Sequence, residues 1–263
     1  MARCVNAPFA EAPVFRIRHF LETLDADFVR DRMLPALDAA RLSRPRRSGR
    51  LLAAVAREAL PRLREALRRD EARAAARRSR RALDPEVGCG RLAVARLEAL
   101  LACREPPTTV TAFEEVAWAL VRAARLAPAF SLGEDWDLLH ALLDPGRRRR
   151  GGMGALGGTL AAAAIVGSGP LASESGYALV RERSYATGWS SPEEVRRIAR
   201  ALGRARLSPR AVTAAVARGI YGSRSASIER RLPRAESALA KLRGCYARAA
   251  ALGAGAFIEL ELV

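Results

Sequence analysis

A chain of 263 residues, half of them apolar, can bury a substantial core in one large domain or two small ones, and its composition excludes disorder. Aromatic residues are only 5% of the chain, with Ala and Leu dominant, so helix is favoured over sheet. The net charge of +17 has two readings, a nucleic-acid footprint or the imprint of a GC-rich genome, because Lys241 is the only lysine among 45 basic residues. Codon bias explains arginine over lysine but not the excess over acids. Residues 1–90 hold 20 Arg against 12 acids, and residues 91–263 hold 25 basic residues against 16 acids, so there is no basic tail. Within the first half, Ser43–Arg81, with 14 Arg against 4 acids, is locally very basic.

In chain order, Pro13–Arg18 reads as a short strand, since Val14, Phe15 and Ile17 partly alternate with arginines. Asp25–Ala40 reads as a helix with Phe28, Val29, Met33 and Leu37 inward, bent near Pro35. Leu42–Gly49 is a basic linker, and Leu51–Leu83 is helical, split or restarted at Pro61. Asp84–Gly88 marks a boundary. Helices follow over Leu92–Ala102 and Ala112–Leu126, with a candidate strand at Thr108–Thr111 between them. Trp136, Leu139 and Leu143 share a face of the next helix, and Leu160–Val166 is a short Ala-rich helix. Tyr177–Arg183 is a candidate strand. Ser191, Pro192 and Glu194 spell a capping box ahead of Val195, Ile198, Ala199 and Leu202, with Gly203 as the stop. Ser208-Pro209 repeats the start signal, Pro233–Leu252 is a longer helix, and Ile258, Leu260 and Leu262 alternate with glutamates as a half-buried closing strand.

Chemistry is sparse. Asp137, His140 and Asp144 share one helical stripe, where a carboxylate beside an imidazole makes a candidate general base; a packed structural histidine is the competing reading. Gly151–Gly158 after Arg147, Arg148, Arg149 and Arg150 lacks both the P-loop and the dinucleotide pattern, which leaves an exposed loop with a weak anion-binding cluster. Arg62, Arg69, Arg73, Arg77 and Arg80 line much of one helical face and could meet phosphates, but almost no aromatic residue is interleaved for base stacking. Glu193 and Glu194 open a helix, where carboxylates are favoured electrostatically. Cys4, Cys89, Cys103 and Cys245 form no C-x-x-C pair, and His19 and His140 are the only histidines, so neither zinc nor another cofactor is expected. Arg3, Glu11, Arg16 and Arg18 interrupt any signal-length apolar run. Gly151–Ser173 is uncharged but rich in glycine and alanine, a poor membrane span.

Several blocks in order resemble the YfbM-like family of bacterial proteins, a domain-of-unknown-function family. They are Trp136-Asp137-Leu138-Leu139-His140, Val166-Gly167-Ser168-Gly169-Pro170-Leu171, Gly176-Tyr177, Ser191-Pro192-Glu193-Glu194-Val195, Gly219-Ile220-Tyr221, Leu242-Arg243-Gly244-Cys245-Tyr246 and the final strand. The resemblance covers about residues 88–263 and implies a shape rather than an activity. It departs at Gly222, where the family tends to have proline and then acids, whereas Arg224, Arg230 and Arg231 follow here.

The expectation is an α+β protein, helix-rich with a small sheet that includes the C-terminal strand. A helical, arginine-rich N-terminal extension (1–87) precedes the family-like domain (88–263). The leading functional expectation is a non-catalytic, cytoplasmic binding or interaction module with another protein as partner, no cofactor and no membrane. The alternatives are sequence-nonspecific nucleic-acid binding through 43–81 and a hydrolase-like activity using His140 and Asp137.

Overall fold

β1 (Ile17–Leu24) and β4 (Gly255–Leu262) meet from distant parts of the chain and pair antiparallel at the centre of a four-stranded sheet. The strand order is β2-β1-β4-β3, with β2 (Phe130–Gly133) and β3 (Ser184–Ser190) at the edges, both antiparallel to their neighbours. The computed structural model describes residues 17–42, 45–76, 85–103, 107, 109–133, 135–143, 159–172, 179, 184–217 and 228–262. Among these the helices far outweigh the sheet, and the fold class is α+β.

Helices cover both faces of the sheet. In register, Glu22 of β1 lies opposite Phe257 of β4, and Trp189 of β3 lies opposite the same Phe257, so these side chains share one face. On that face Phe257 and Leu24 join a core built from a π-helical turn (Phe28–Met33), α1 (Leu34–Leu42), α2 (Pro45–Ala76), α3 (Pro85–Cys103) and α4 (Val110–Ala123). Leu21, Ala256, Ile258 and Leu260 point the other way. They pack with α5 (Trp136–Leu143), α6 (Leu160–Val166), α7 (Pro192–Arg204) and α9 (Ile228–Ala251). α8 (Pro209–Ala217) closes a smaller cluster in which Val212 meets Leu138, Leu142 and Ala235. The first apolar core contains Leu52 and Leu63 together with Leu97 and Leu120, so elements on both sides of residue 88 bury their apolar stripes against one another.

Local signals explain several helix starts. Thr109 is extended and accepts from the Ala112 amide at 3.2 Å, so residues 109–111 of the strand expected at Thr108–Thr111 instead cap and start α4, and Thr108 lies outside the described residues. Ser191 forms the expected capping box: its hydroxyl accepts from the Glu194 amide and the Glu194 carboxylate accepts from the Ser191 amide at 2.8 Å. The basic stretch expected to be a linker is helical from Pro45 onward, and Pro61 does not split α2. Pro61 is exposed, while Leu52, Val55, Ala56, Ala59 and Leu63 run as one buried stripe past it, and that stripe holds the two halves in line. The Asp25–Ala40 helix departs from α geometry over Phe28–Met33, where Phe28, Val29 and Met33 are nonetheless all buried as expected. The N-terminal strand runs from Ile17 to Leu24, and residues 13–16 lie outside the described residues, as does all of the expected Tyr177–Arg183 strand except Leu179.

β4 corrects a further expectation. Its alternation predicts one wet face, yet residues 254–260 are buried without a break, Glu259 included. The reason is its place as an inner strand with helices over both faces. No helix among the described residues is long and apolar enough to cross a membrane.

Candidate functional site

Where β1 ends, the chain leaving α4 runs back alongside it. The Asp25 amide donates to the Ala124 carbonyl at 2.8 Å and the Leu126 amide donates to the Thr23 carbonyl at 2.9 Å, bridging Leu24 and Arg125. This brings the Arg125 guanidinium onto the Glu22 carboxylate, which lies on the sheet face covered by α1–α4. Glu22 is 5% exposed, so the pair is largely withdrawn from water. Burial pushes Arg125 down, but the charge and hydrogen bond of Glu22, with Glu86 and Asp70 beyond it, outweigh that and hold the guanidinium more firmly protonated than usual.

Arg122, which is buried, joins it. Arg122 lies within an unbroken buried run, residues 119–124, at the end of α4 and is itself 8% exposed. Its Nη2 donates to the Glu86 carboxylate and to the Glu86 backbone carbonyl, both at 2.6 Å, and stands 3.6 Å from Asp70. Gly90 of α3 makes room for it: a Cβ there would meet Leu67 at 3.0 Å and Arg122 Nε at 3.7 Å. Glu86 also accepts from Arg125 Nη1 at 3.2 Å, and Asp70 pairs with Arg73. The result is an alternating array of carboxylates and guanidiniums that links β1, α2, α3 and α4.

The array floors a cleft of about 500 Å³. It is lined by Arg69 and Arg73 of α2, by Glu86, Arg122 and Arg125 of the array, and by the apolar run Leu126, Ala127, Pro128 and Ala129. Arg69 is exposed and makes no ion pair with a described residue. Among the described residues, four guanidiniums line the cleft against the carboxylates of Asp70 and Glu86, with Glu22 behind Arg125, which leaves these residues a positive excess. Such a site can hold an anionic group by charge-assisted hydrogen bonds. The described residues that line it include no nucleophile and no imidazole.

Of the arginines expected along the basic helical face, Arg69 and Arg73 line this cleft. Arg62 does not. It donates to Asp25 at 2.7 Å and to Glu58 at 3.3 Å, and its guanidinium lies 4.8 Å from the Phe28 ring centroid, a clamp on the π-helical turn. Partial burial pushes the Asp25 carboxyl up, but the Phe28 amide and Arg62 outweigh this and hold it below the usual range. Arg64 and Arg68 are likewise matched with Glu98 and Glu65. Arg77, Arg80, Arg147, Arg148, Arg149, Arg150 and Asp144 lie outside the described residues. His140 is buried at 4% exposure on α5 and has an interaction partner, and Asp137 shares that helix, though its side chain is outside the described set. His140 does not line the cleft. Among the described residues no group of three or more His, Cys, Asp or Glu side chains is placed to hold a metal ion.

Glu22, Glu86, Arg122 and Arg125 do not stand out in the sequence. Arg122 leaves a trace: it interrupts an otherwise apolar run, Trp118-Ala119-Leu120-Val121-Arg122-Ala123-Ala124, where a charge is costly unless it is paired. In fold and site, the molecule is a layered α+β protein, helices on both faces of a four-stranded antiparallel sheet, with an arginine-lined cleft at the end of β1. No protein-family model matches the chain, and neither a curated protein nor a solved structure matches it.

Proposed function

We propose that this protein is a non-catalytic interaction module whose cleft takes an acidic segment of a partner protein. The observation that carries the reading is the convergence of Arg69, Arg73, Arg122 and Arg125 on one cleft with an apolar wall and a positive excess. Acidic side chains meet the guanidiniums, and the apolar residues between them meet Leu126–Ala129. Kinship with the YfbM-like family over about residues 88–263 belongs to the same proposal, supported by the capped α7 and the C-terminal strand. So does a reducing, cytoplasmic setting, supported by the free thiols of Cys89, Cys103 and Cys245.

Nucleic-acid binding is the second reading, favoured by Arg69 and Arg73 standing on one side of α2. The ion pairs of Arg62, Arg64 and Arg68 weigh against it, because they commit three of that helix's guanidiniums to carboxylates. Fluorescence anisotropy with labelled hexaglutamate and with a labelled single-stranded oligonucleotide separates the two. The interaction-module reading expects hexaglutamate to bind and the Arg69→Glu/Arg73→Glu variant to lose at least about tenfold in affinity, or roughly 1.4 kcal/mol. Oligonucleotide binding that falls steeply with salt, without peptide binding, would replace it with the second reading. Binding of neither probe would refute both.

A further inference from the structure

We infer that Glu86 is a built-in occupant of this cleft, a tethered carboxylate that gives way to the carboxylate of the partner; the inference rests on the cleft being the binding site. The three acids of the array are not equivalent. The Glu22 and Asp70 side chains are 7% and 15% exposed, whereas that of Glu86 is 53% exposed. Among the described residues, the guanidiniums that Glu86 touches are the opposite case, 10% exposed for Arg122 and 16% for Arg125. A solvent-facing carboxylate thus rests on two largely withdrawn cations that line the same cleft. Withdrawing it strands no buried acid, because Glu86 can turn into water from the first turn of α3.

The arginines stay in place when it leaves. Arg122 keeps its hydrogen bond to the Glu86 backbone carbonyl at 2.6 Å, and Arg125 keeps Glu22. Both retain donors for an incoming carboxylate, so one anion replaces another on the same N–H groups. Charge-assisted bonds to arginine are directional, which makes the exchange selective for a planar carboxylate group able to meet two guanidiniums at once. Arg69 and Arg73 at the side of the cleft add a place for a second acid of the same segment. The ligand class is therefore a peptide with at least two acidic side chains, bound in competition with Glu86.

The test compares wild type, Glu86→Gln, Glu86→Asp, Glu98→Gln and Arg69→Glu/Arg73→Glu for labelled hexaglutamate binding, with circular dichroism to confirm the helical fold of each. Glu98→Gln makes the same change in net charge at an exposed ion pair with Arg64 on the adjoining helices. We expect Glu86→Gln to bind at least about fivefold more tightly than wild type. Glu86→Asp, drawn back by one methylene but still charged, shifts in the same direction by less, and Glu98→Gln shifts little. Binding lost in the double arginine variant, with Glu86→Gln no tighter than wild type, would overturn the role of Glu86 and leave the cleft standing. An equal gain from Glu98→Gln would overturn it too, since net charge alone would then account for the effect. No binding by any variant would remove the interaction-module reading itself.

Discussion

His19 shows at the residue scale what the inner sheet demands. It has no exposure in β1, and neither ring nitrogen closes a hydrogen bond. Burial drives its pKa from 6.5 to about 3, and the nearby carbonyls of His19 and Ile165 offset that only in part. The native ring therefore stays neutral while the unfolded chain takes up a proton below its ordinary value. The stability that goes with this is complete above pH 6.5 and is lost as pH falls toward 3, by up to about 1.4 kcal/mol per pH unit. Urea unfolding at a series of pH values is expected to show this slope in wild type, and His19→Leu to be flatter by close to one proton. Equal slopes would mean that His19 is protonated in the native state. Of the two histidines only His140 stands in a helical stripe with carboxylates; nothing local to His19 marks it as the more deeply buried one.

Helix starts are the elements best read from sequence, because a cap is a local match between a side chain and amides within three residues. Ser191-Pro192-Glu193-Glu194 forms the expected box. Ser191→Ala is expected to lower stability by about 1 kcal/mol, read as a reduced midpoint in thermal or denaturant unfolding, with α7 still formed. An unchanged midpoint would show that the cap is redundant with the packing of Val195, Ile198 and Leu202. Pro61 and the Leu42–Gly49 stretch mislead for the opposite reason. Proline and arginine bias the local chain, but the buried stripe of α2 against α3 and α4 outweighs that bias.

At the scale of the whole molecule, the sheet is assembled across nearly the full described length, since β1 and β4 pair over all eight positions of each strand. Leu24, Leu52 and Leu63 share a core with Leu97, Leu120 and Phe257. A fragment of residues 88–263 would expose that core and leave β4 without an inner neighbour. It is expected to lack a cooperative unfolding transition and to bind a hydrophobic dye, whereas the full chain unfolds sharply and leaves the dye free. A sharp transition in the fragment would establish an autonomous domain there.

The helix-rich α+β class, the capped starts of α7 and α8, the C-terminal strand and the buried faces of Phe28, Val29, Met33 and Leu37 were all determined by patterns a few residues long, because periodicity and capping are local. Which charges meet depends instead on the packing of distant segments. Glu22 and Arg125 are 103 positions apart and Glu86 and Arg122 are 36 apart, and no local pattern encodes those distances. The sequence therefore displays an excess of arginine, and the fold places Arg69, Arg73, Arg122 and Arg125 on one cleft while it commits Arg62, Arg64 and Arg68 to ion pairs, of which Arg64–Glu98 ties α2 to α3.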